Sequence, residues 1–201
     1  VDAALAAGHG AVLWVAHFCF NSLATKKAMA AAGYRVSHIS RPEHGFSKSR
    51  VGIATVNRLR VRAELAHLDG RIVIDRDKPM AATLAAQRLL KRNGIVSITA
   101  GAWEGQRLAK VGLLGGTLQL AVGAPGLARL SGAALLPVFA LRDPGDATLR
   151  VIVEPPIPVA NVGAADAGLQ EAAQRFAERM ERYVFGHPAQ WRDWKNLKLP
   201  D

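Results

Sequence analysis

Short apolar runs of four to eight residues alternate along this chain with longer stretches of helical periodicity. No other feature restricts the fold as much. Residues 11–16, 34–39, 71–74, 95–99, 134–141 and 149–153 read as strands. Between them, residues 23–32, 50–66 and 79–92 read as helices, the first stopped by Gly33 and the last opened by Pro79 and closed by Asn93-Gly94. Strands separated by helices of this length predict an α/β fold: one domain over residues 1–201, with a mixed, mostly parallel sheet flanked by helices. The clearest helix covers residues 166–185. Leu169, Ala172, Ala173, Phe176, Ala177, Met180, Tyr183 and Val184 recur at three and four residues and form one apolar stripe. Its polar face pairs Glu171 with Arg175 and Glu178 with Arg182, acid before base at i,i+4. The stripe is core packing, not a cofactor site. The Pro-rich stretch 154–158 cannot continue a central strand.

The first strand ends on a histidine. In Gly10-Ala11-Val12-Leu13-Trp14-Val15-Ala16-His17 the polar residue follows the apolar run directly and precedes a helix. That position is the carboxyl edge of the sheet, where open α/β folds bind ligands. An imidazole there can take a proton from a hydroxyl nucleophile. A histidine closing a strand is also a common structural residue, so its neighbours have to decide.

Charge restricts the partners. Lysine and arginine number 26 against 16 acids, a formal net charge of +10. Such an excess suits an anionic partner: lipid headgroups, an acidic carrier protein, a phosphorylated cofactor or nucleic acid. Nucleic acid rests on charge alone, because no interleaved surface aromatics and no recognisable module accompany it. Cys19 is the single cysteine, so an internal disulfide and a thiolate metal cluster are excluded. No apolar run reaches the roughly 18–20 residues of a spanning helix. The chain opens at Val1 rather than Met, which leaves room for an anchor upstream.

Several motifs, taken in order, resemble the bacterial lipid A biosynthesis (lauroyl/myristoyl) acyltransferases of the lysophospholipid acyltransferase superfamily. Their first motif reads His-Phe-Gly-Asn-Trp-Glu-Leu, against His17-Phe18-Cys19-Phe20-Asn21-Ser22-Leu23 here. Arg41-Pro42 after the second strand, Asp75-Arg76-Asp77, and Gly94-Ile95-Val96 follow the family's order. So do Gly115-Gly116, Leu127-Ala128-Arg129-Leu130-Ser131, the strand 133–139 and the ending Pro188-Ala189-Gln190-Trp191-Arg192-Asp193-Trp194-Lys195.

The resemblance implies transfer of a fatty acyl group from an acyl-carrier-protein or coenzyme A thioester to a hydroxyl of a lipid or glycolipid. It implies no cofactor beyond the thioester co-substrate and no metal. The expected location is peripheral, at the cytoplasmic face of the inner membrane, against an anionic surface. His17 is then the general base and Ser22 or Asn21 its orienter. Gly115 and Gly116 bring backbone N–H groups to the oxyanion, and Arg41, Lys48 and Arg50 hold the anionic donor or acceptor.

Two departures stand out. The family's acid, five residues after the histidine, is Ser22 here; a hydroxyl accepts the ring N–H but brings no charge. Losing the charge of such an acid costs on the order of 10⁴-fold in the serine proteases. The family's acidic loop after the fourth strand keeps only Glu104 and Gly105. Another acid must therefore support His17, with Glu104, Asp75 and Asp77 as candidates, or the chain is a non-catalytic relative that binds an acyl lipid or acylated carrier. Elsewhere, His38 is expected to pack inside the second strand, His44 lies in a polar loop that could face the site, and Cys19 reads as a small buried hydrophobe.

Overall fold

Strand β1 (Ala11–Ala16) is buried along its whole length, and the sheet is built outward from it. The computed structural model describes residues 1–40, 58–75, 79–101, 107–145, 148–160 and 165–200. A short helix α1 (Asp2–Ala6) precedes β1, and α2 (Asn21–Ala31) follows it. Then come β2 (Val36–Ser40), α3 (Arg58–Leu65), β3 (Gly70–Val73), α4 (Pro79–Lys91) and β4 (Ile95–Ala100). A hairpin of β5 (Leu108–Leu113) and β6 (Gly116–Ala121) leads into α5 (Gly123–Ser131) and β7 (Ala134–Arg142). The antiparallel edge strand β8 (Leu149–Val153) and the long helix α6 (Ala165–Gly186) complete the fold.

The main sheet has six strands in the order β3-β2-β4-β1-β7-β8, parallel except for β8. This is the expected α/β architecture. A parallel sheet covered on both faces needs apolar side chains on both, which is why β1 reads as an unbroken apolar run. Its alternate residues serve two cores. Val12, Trp14 and Ala16 face the larger cluster, which includes residues of α4, α5 and α6. Leu13 and Val15 face a smaller one with Met29 of α2, Leu136 and Val138. On the larger side Trp14 stacks on Phe176 with ring centroids 4.1 Å apart, and Phe176 on Phe139 at 5.9 Å. The stripe of α6 is thus core packing, as its periodicity predicts.

Topology singles out one edge. The chain leaves β1 for β2 on one side of the sheet and leaves β4 for β7 on the other, while β1 and β4 lie side by side. Helix α2 after β1 packs on the smaller core and α5 before β7 on the larger. These adjacent strands thus send their connections to opposite faces, which opens a crevice beyond their carboxyl ends. His17 follows β1 at that crevice and Gly101 follows β4. At the opposite end of β1, Gly10 has φ +73° and lies so close to Gly94 that a Cβ would stand 2.5 Å from its carbonyl oxygen. Only glycine fits there.

Several expectations need adjustment. Helix α2 starts at Asn21, two residues before the expected start, and β2 covers Val36–Ser40 rather than 34–39. Of the expected helix 50–66, residues 50–57 lie outside the described residues and Arg58–Leu65 are helical. The β5–β6 hairpin was not expected, although 108–113 alternate between exposed and buried as a half-buried strand should. Arg182 does not pair with Glu178. It forms an ion pair with the buried Glu154, while Gln174 donates to Glu178 at 3.3 Å. A buried carboxylate near the end of β8 outbids an exposed one on the same helix. The Glu171–Arg175 pair is present.

Candidate active site

The backbone turns sharply after Ala16. Phe18 is fully buried and its ring meets Phe139 edge-on, anchoring the segment between β1 and α2. With Phe18 turned inward, the flanking His17 and Cys19 face outward. His17 is partly buried, its side chain 24% exposed, and Cys19 is exposed. Cys19 is therefore not the buried hydrophobe expected from its apolar neighbours, because the strand's alternation ends with the strand.

A second segment closes over this point. After α6 the chain makes one tight turn, Pro188–Gln190, and runs back along residues 17–19. Gln190 accepts the Cys19 N–H through its carbonyl at 2.8 Å, Phe18 and Trp191 form an antiparallel bridge, and the Arg192 N–H donates to the His17 carbonyl at 3.1 Å. The Gln190 side chain accepts from the Arg142 N–H at 2.8 Å and donates to its carbonyl at 2.7 Å, tying the tail to the end of β7 as well. Trp191 is buried and meets Trp194 edge-on, and Trp194 Nε1 donates to the Pro188 carbonyl at 2.8 Å.

These contacts place Asp193. Its side chain is 3% exposed, and its Oδ1 lies 2.9 Å from His17 Nδ1 across a separation of 176 residues. A carboxylate only accepts, so Nδ1 carries the proton and Nε2 is the basic nitrogen. Among the described residues Nε2 has no hydrogen-bond partner. The Asn196 side-chain amide also reaches Asp193 Oδ1, at 3.4 Å. Buried carboxylate, oriented imidazole and a lone pair directed away from the acid form an acid–base dyad. Beside it begins α2, whose N-cap Phe20 gives no side-chain cap; the Asn21 N–H donates to the Phe18 carbonyl at 3.3 Å, and the positive end of the helix dipole lies at this turn.

No protein-family model matches this chain, and no curated protein matches it. The chemistry of the site therefore has to be read from its own geometry.

His17 stands at the sheet edge as its sequence position predicts, but its Nδ1 partner is Asp193 and none of the residues expected. Ser22 and Asn21 lie in the first turn of α2, and Asn21 is buried; Nδ1 of the imidazole pairs with the tail. Of the three candidate acids, Asp75 is exposed, and Asp77 and Glu104 lie outside the described residues. Arg41, Lys48, Arg50 and His44 also lie outside them. Gly115 follows Leu114 in the β5–β6 turn, both with positive φ as a two-residue hairpin turn requires. A Cβ on Gly116 would stand 2.6 Å from the carbonyl oxygen of Lys198. The tail thus occupies the space beside Gly116, and these glycines serve the turn and its packing. His38 is buried as expected, its Nδ1 2.8 Å from Ser97 Oγ.

Asp193 is not among the expected site residues, although it lies inside the ending Pro188 to Lys195. The usable signal was the spacing Trp191-Arg192-Asp193-Trp194: an acid between aromatics, in a stretch otherwise basic and neutral, is a candidate for burial. Among the described residues no group of three or more His, Cys, Asp or Glu side chains is placed to hold a metal ion.

Proposed function

We propose that this chain is an acyltransferase of the lysophospholipid and lipid A type, with His17 as general base and Asp193 as the residue that orients it. The donor is an acyl-carrier-protein or coenzyme A thioester, and the acceptor is a hydroxyl of a lipid or glycolipid. One observation carries the reading: the 2.9 Å contact of His17 Nδ1 with a buried carboxylate, at the carboxyl end of the central strand. The motif order of the sequence supports it independently.

In this reading Nε2 takes the proton of the acceptor hydroxyl as its oxygen attacks the thioester carbonyl. A tetrahedral oxyanion forms, and the positive end of the α2 dipole, which begins four residues after the base, stabilises it. Collapse breaks the carbon–sulfur bond, and the imidazolium returns the proton to the leaving thiolate. Asp193 stabilises the imidazolium between the two transfers. The charge that Ser22 lacks is thereby supplied from the tail, which removes the main support for a purely binding relative. Among the described residues no helix is long and apolar enough to cross a membrane. A peripheral location at the cytoplasmic face of the inner membrane, held by the basic surface, fits this reading.

The test is turnover by the purified protein with acyl-carrier-protein and coenzyme A donors and lipid acceptors. His17→Ala is expected to abolish acyl transfer with an unchanged circular dichroism spectrum. Wild-type-like turnover in that variant ends the assignment. A protein that retains acyl lipid through purification but never turns over is the binding relative instead.

A further inference from the structure

The segment that delivers Asp193 also builds an apolar surface. Leu114, Val184, Phe185, Pro188, Trp194 and Leu199 line an open cleft of about 440 Å³. Phe185 is 82% exposed, Leu199 66% and Trp194 44%. Large side chains this exposed are unremarkable singly, but three converging on one cleft mark an interaction surface.

Charge decides what covers it. Residues 187–201 contain Arg192, Lys195 and Lys198, all exposed, against two acids, Asp201 and Asp193, the latter turned inward against His17. The outer face of the tail is therefore basic, with cations alternating along the chain with Trp194, Leu197 and Leu199. Beside Leu114 the Glu181 carboxylate accepts the Leu114 N–H at 2.9 Å, which leaves three exposed cations against fewer acids on this face. A second copy docking about a two-fold axis would bring this basic face against itself, with like charges opposed. Nucleic acid would match the charge but leave Phe185 and Leu199 in water. An anionic bilayer answers both: headgroups meet the lysines, whose stems can extend along apolar surface, while Trp, Phe and Leu enter the boundary of the acyl region.

We propose that this face, with Phe185, Trp194 and Leu199 at its centre and Arg192, Lys195 and Lys198 around it, docks the protein on an anionic lipid bilayer. Docking would hold the His17–Asp193 pair, carried on the same tail, close to the headgroups. The surface stands on its own geometry, and only its purpose rests on the acyltransferase reading.

Cosedimentation with vesicles tests it, comparing mixed phosphatidylglycerol–phosphatidylcholine vesicles with phosphatidylcholine alone. The wild-type protein should favour the anionic vesicles. The double variant Phe185→Ser, Leu199→Ser should lower partitioning about tenfold, because both apolar side chains lose their insertion. Lys195→Gln with Lys198→Gln should lower it about tenfold on anionic vesicles only. Both variants should melt like the wild type, since the substituted side chains lie on the surface. Undiminished partitioning of the Phe185, Leu199 variant overturns the proposal, as does equal binding to both vesicle types. A dimer in sedimentation that the same substitutions disperse, without vesicle binding, assigns the face to a second copy and also overturns it. His17→Ala should partition like the wild type. Vesicle binding without acyl transfer by any donor leaves the dock standing and removes only the functional reading.

Discussion

Strand β1 and the tail at residues 187–200 meet at His17, yet they are held by different physics. β1 is fixed by apolar contact on both faces and by two parallel neighbours. The tail has only two short turns of regular structure; it buries Trp191 in the larger core, and its path is set by hydrogen bonds to backbone groups of residues 17, 19, 117 and 142. Apolar burial is worth about 25 cal/mol per Å² and tolerates small displacements. A hydrogen bond contributes only about 0.5–1.5 kcal/mol net but fixes an angle and a distance. Damage to the strand should therefore register as lost stability, and damage to the tail as lost function.

The largest effect should come from the tail. Asp193→Asn keeps the shape of the side chain and removes its charge. An amide can also offer N–H to Nδ1 and favour the wrong tautomer. Acyl transfer should fall by about 10⁴-fold, as for the equivalent change in the serine proteases. Ser22→Ala should leave turnover near wild type, because the acid in contact with His17 is Asp193. Paired kinetics of the two variants check this. A large loss in Ser22→Ala with none in Asp193→Asn would return the orienting role to the start of α2.

Next comes a polar element of the framework. Lys26 of α2 and Glu64 of α3 form an ion pair with both side chains buried. Lys26→Met removes the cation paired with the buried Glu64 carboxylate, and should cost about 3–5 kcal/mol in chemical denaturation. Adding Glu64→Leu should recover most of that loss, since an apolar pair of similar size has no charge to desolvate. Failure of the double variant to recover would mean that the pair fixes the packing of α2 on α3 as well as neutralising itself.

Gly116→Ala tests the tail from its far end. Thr117 and Lys198 exchange N–H to carbonyl hydrogen bonds at 2.7 and 2.9 Å, and a methyl on Gly116 would push into the Lys198 carbonyl. Overpacking of this kind costs about 1–3 kcal/mol. Lys198 lies five residues beyond Asp193, so turnover should fall more than the loss in stability explains. A variant that loses stability but keeps full turnover would show that the Gln190 and Arg192 contacts hold Asp193 unaided.

The two regions also differ in how far the sequence discloses them. The sheet and its long helix were legible because burial repeats with a period: continuous in β1, every third and fourth residue in α6. His17 was legible because a polar residue closed an apolar run. Asp193 was not, since it belongs to no periodic element and reaches its partner across 176 residues. The order of motifs pointed to Ser22, where a charge was missing, but not to where a charge had been gained. The β5–β6 hairpin was hidden for a smaller reason: Leu114 takes a positive φ of 50° that the usual Asn-Gly or Gly-Gly signal would have advertised.

The smallest expected effect bears on that difference. Glu171 and Arg175 form the i,i+4 pair that the sequence displays most openly, with Arg175 Nη2 donating to Glu171 Oε1 at 2.6 Å. Both side chains are about half exposed, so water and salt screen the attraction, and holding two long side chains together costs rotamer entropy. Glu171→Gln should therefore cost about 0.3–0.5 kcal/mol, less at high salt, and leave turnover unchanged. Urea denaturation at low and high ionic strength checks both points. A loss above about 1 kcal/mol that salt does not reduce would mean that Glu171 supports α6 by something other than its charge, since an exposed pair is not worth that much. With the expected result, the contact easiest to read from the sequence is the least consequential. The His17–Asp193 contact, which no local pattern announces, then carries the largest effect in the molecule.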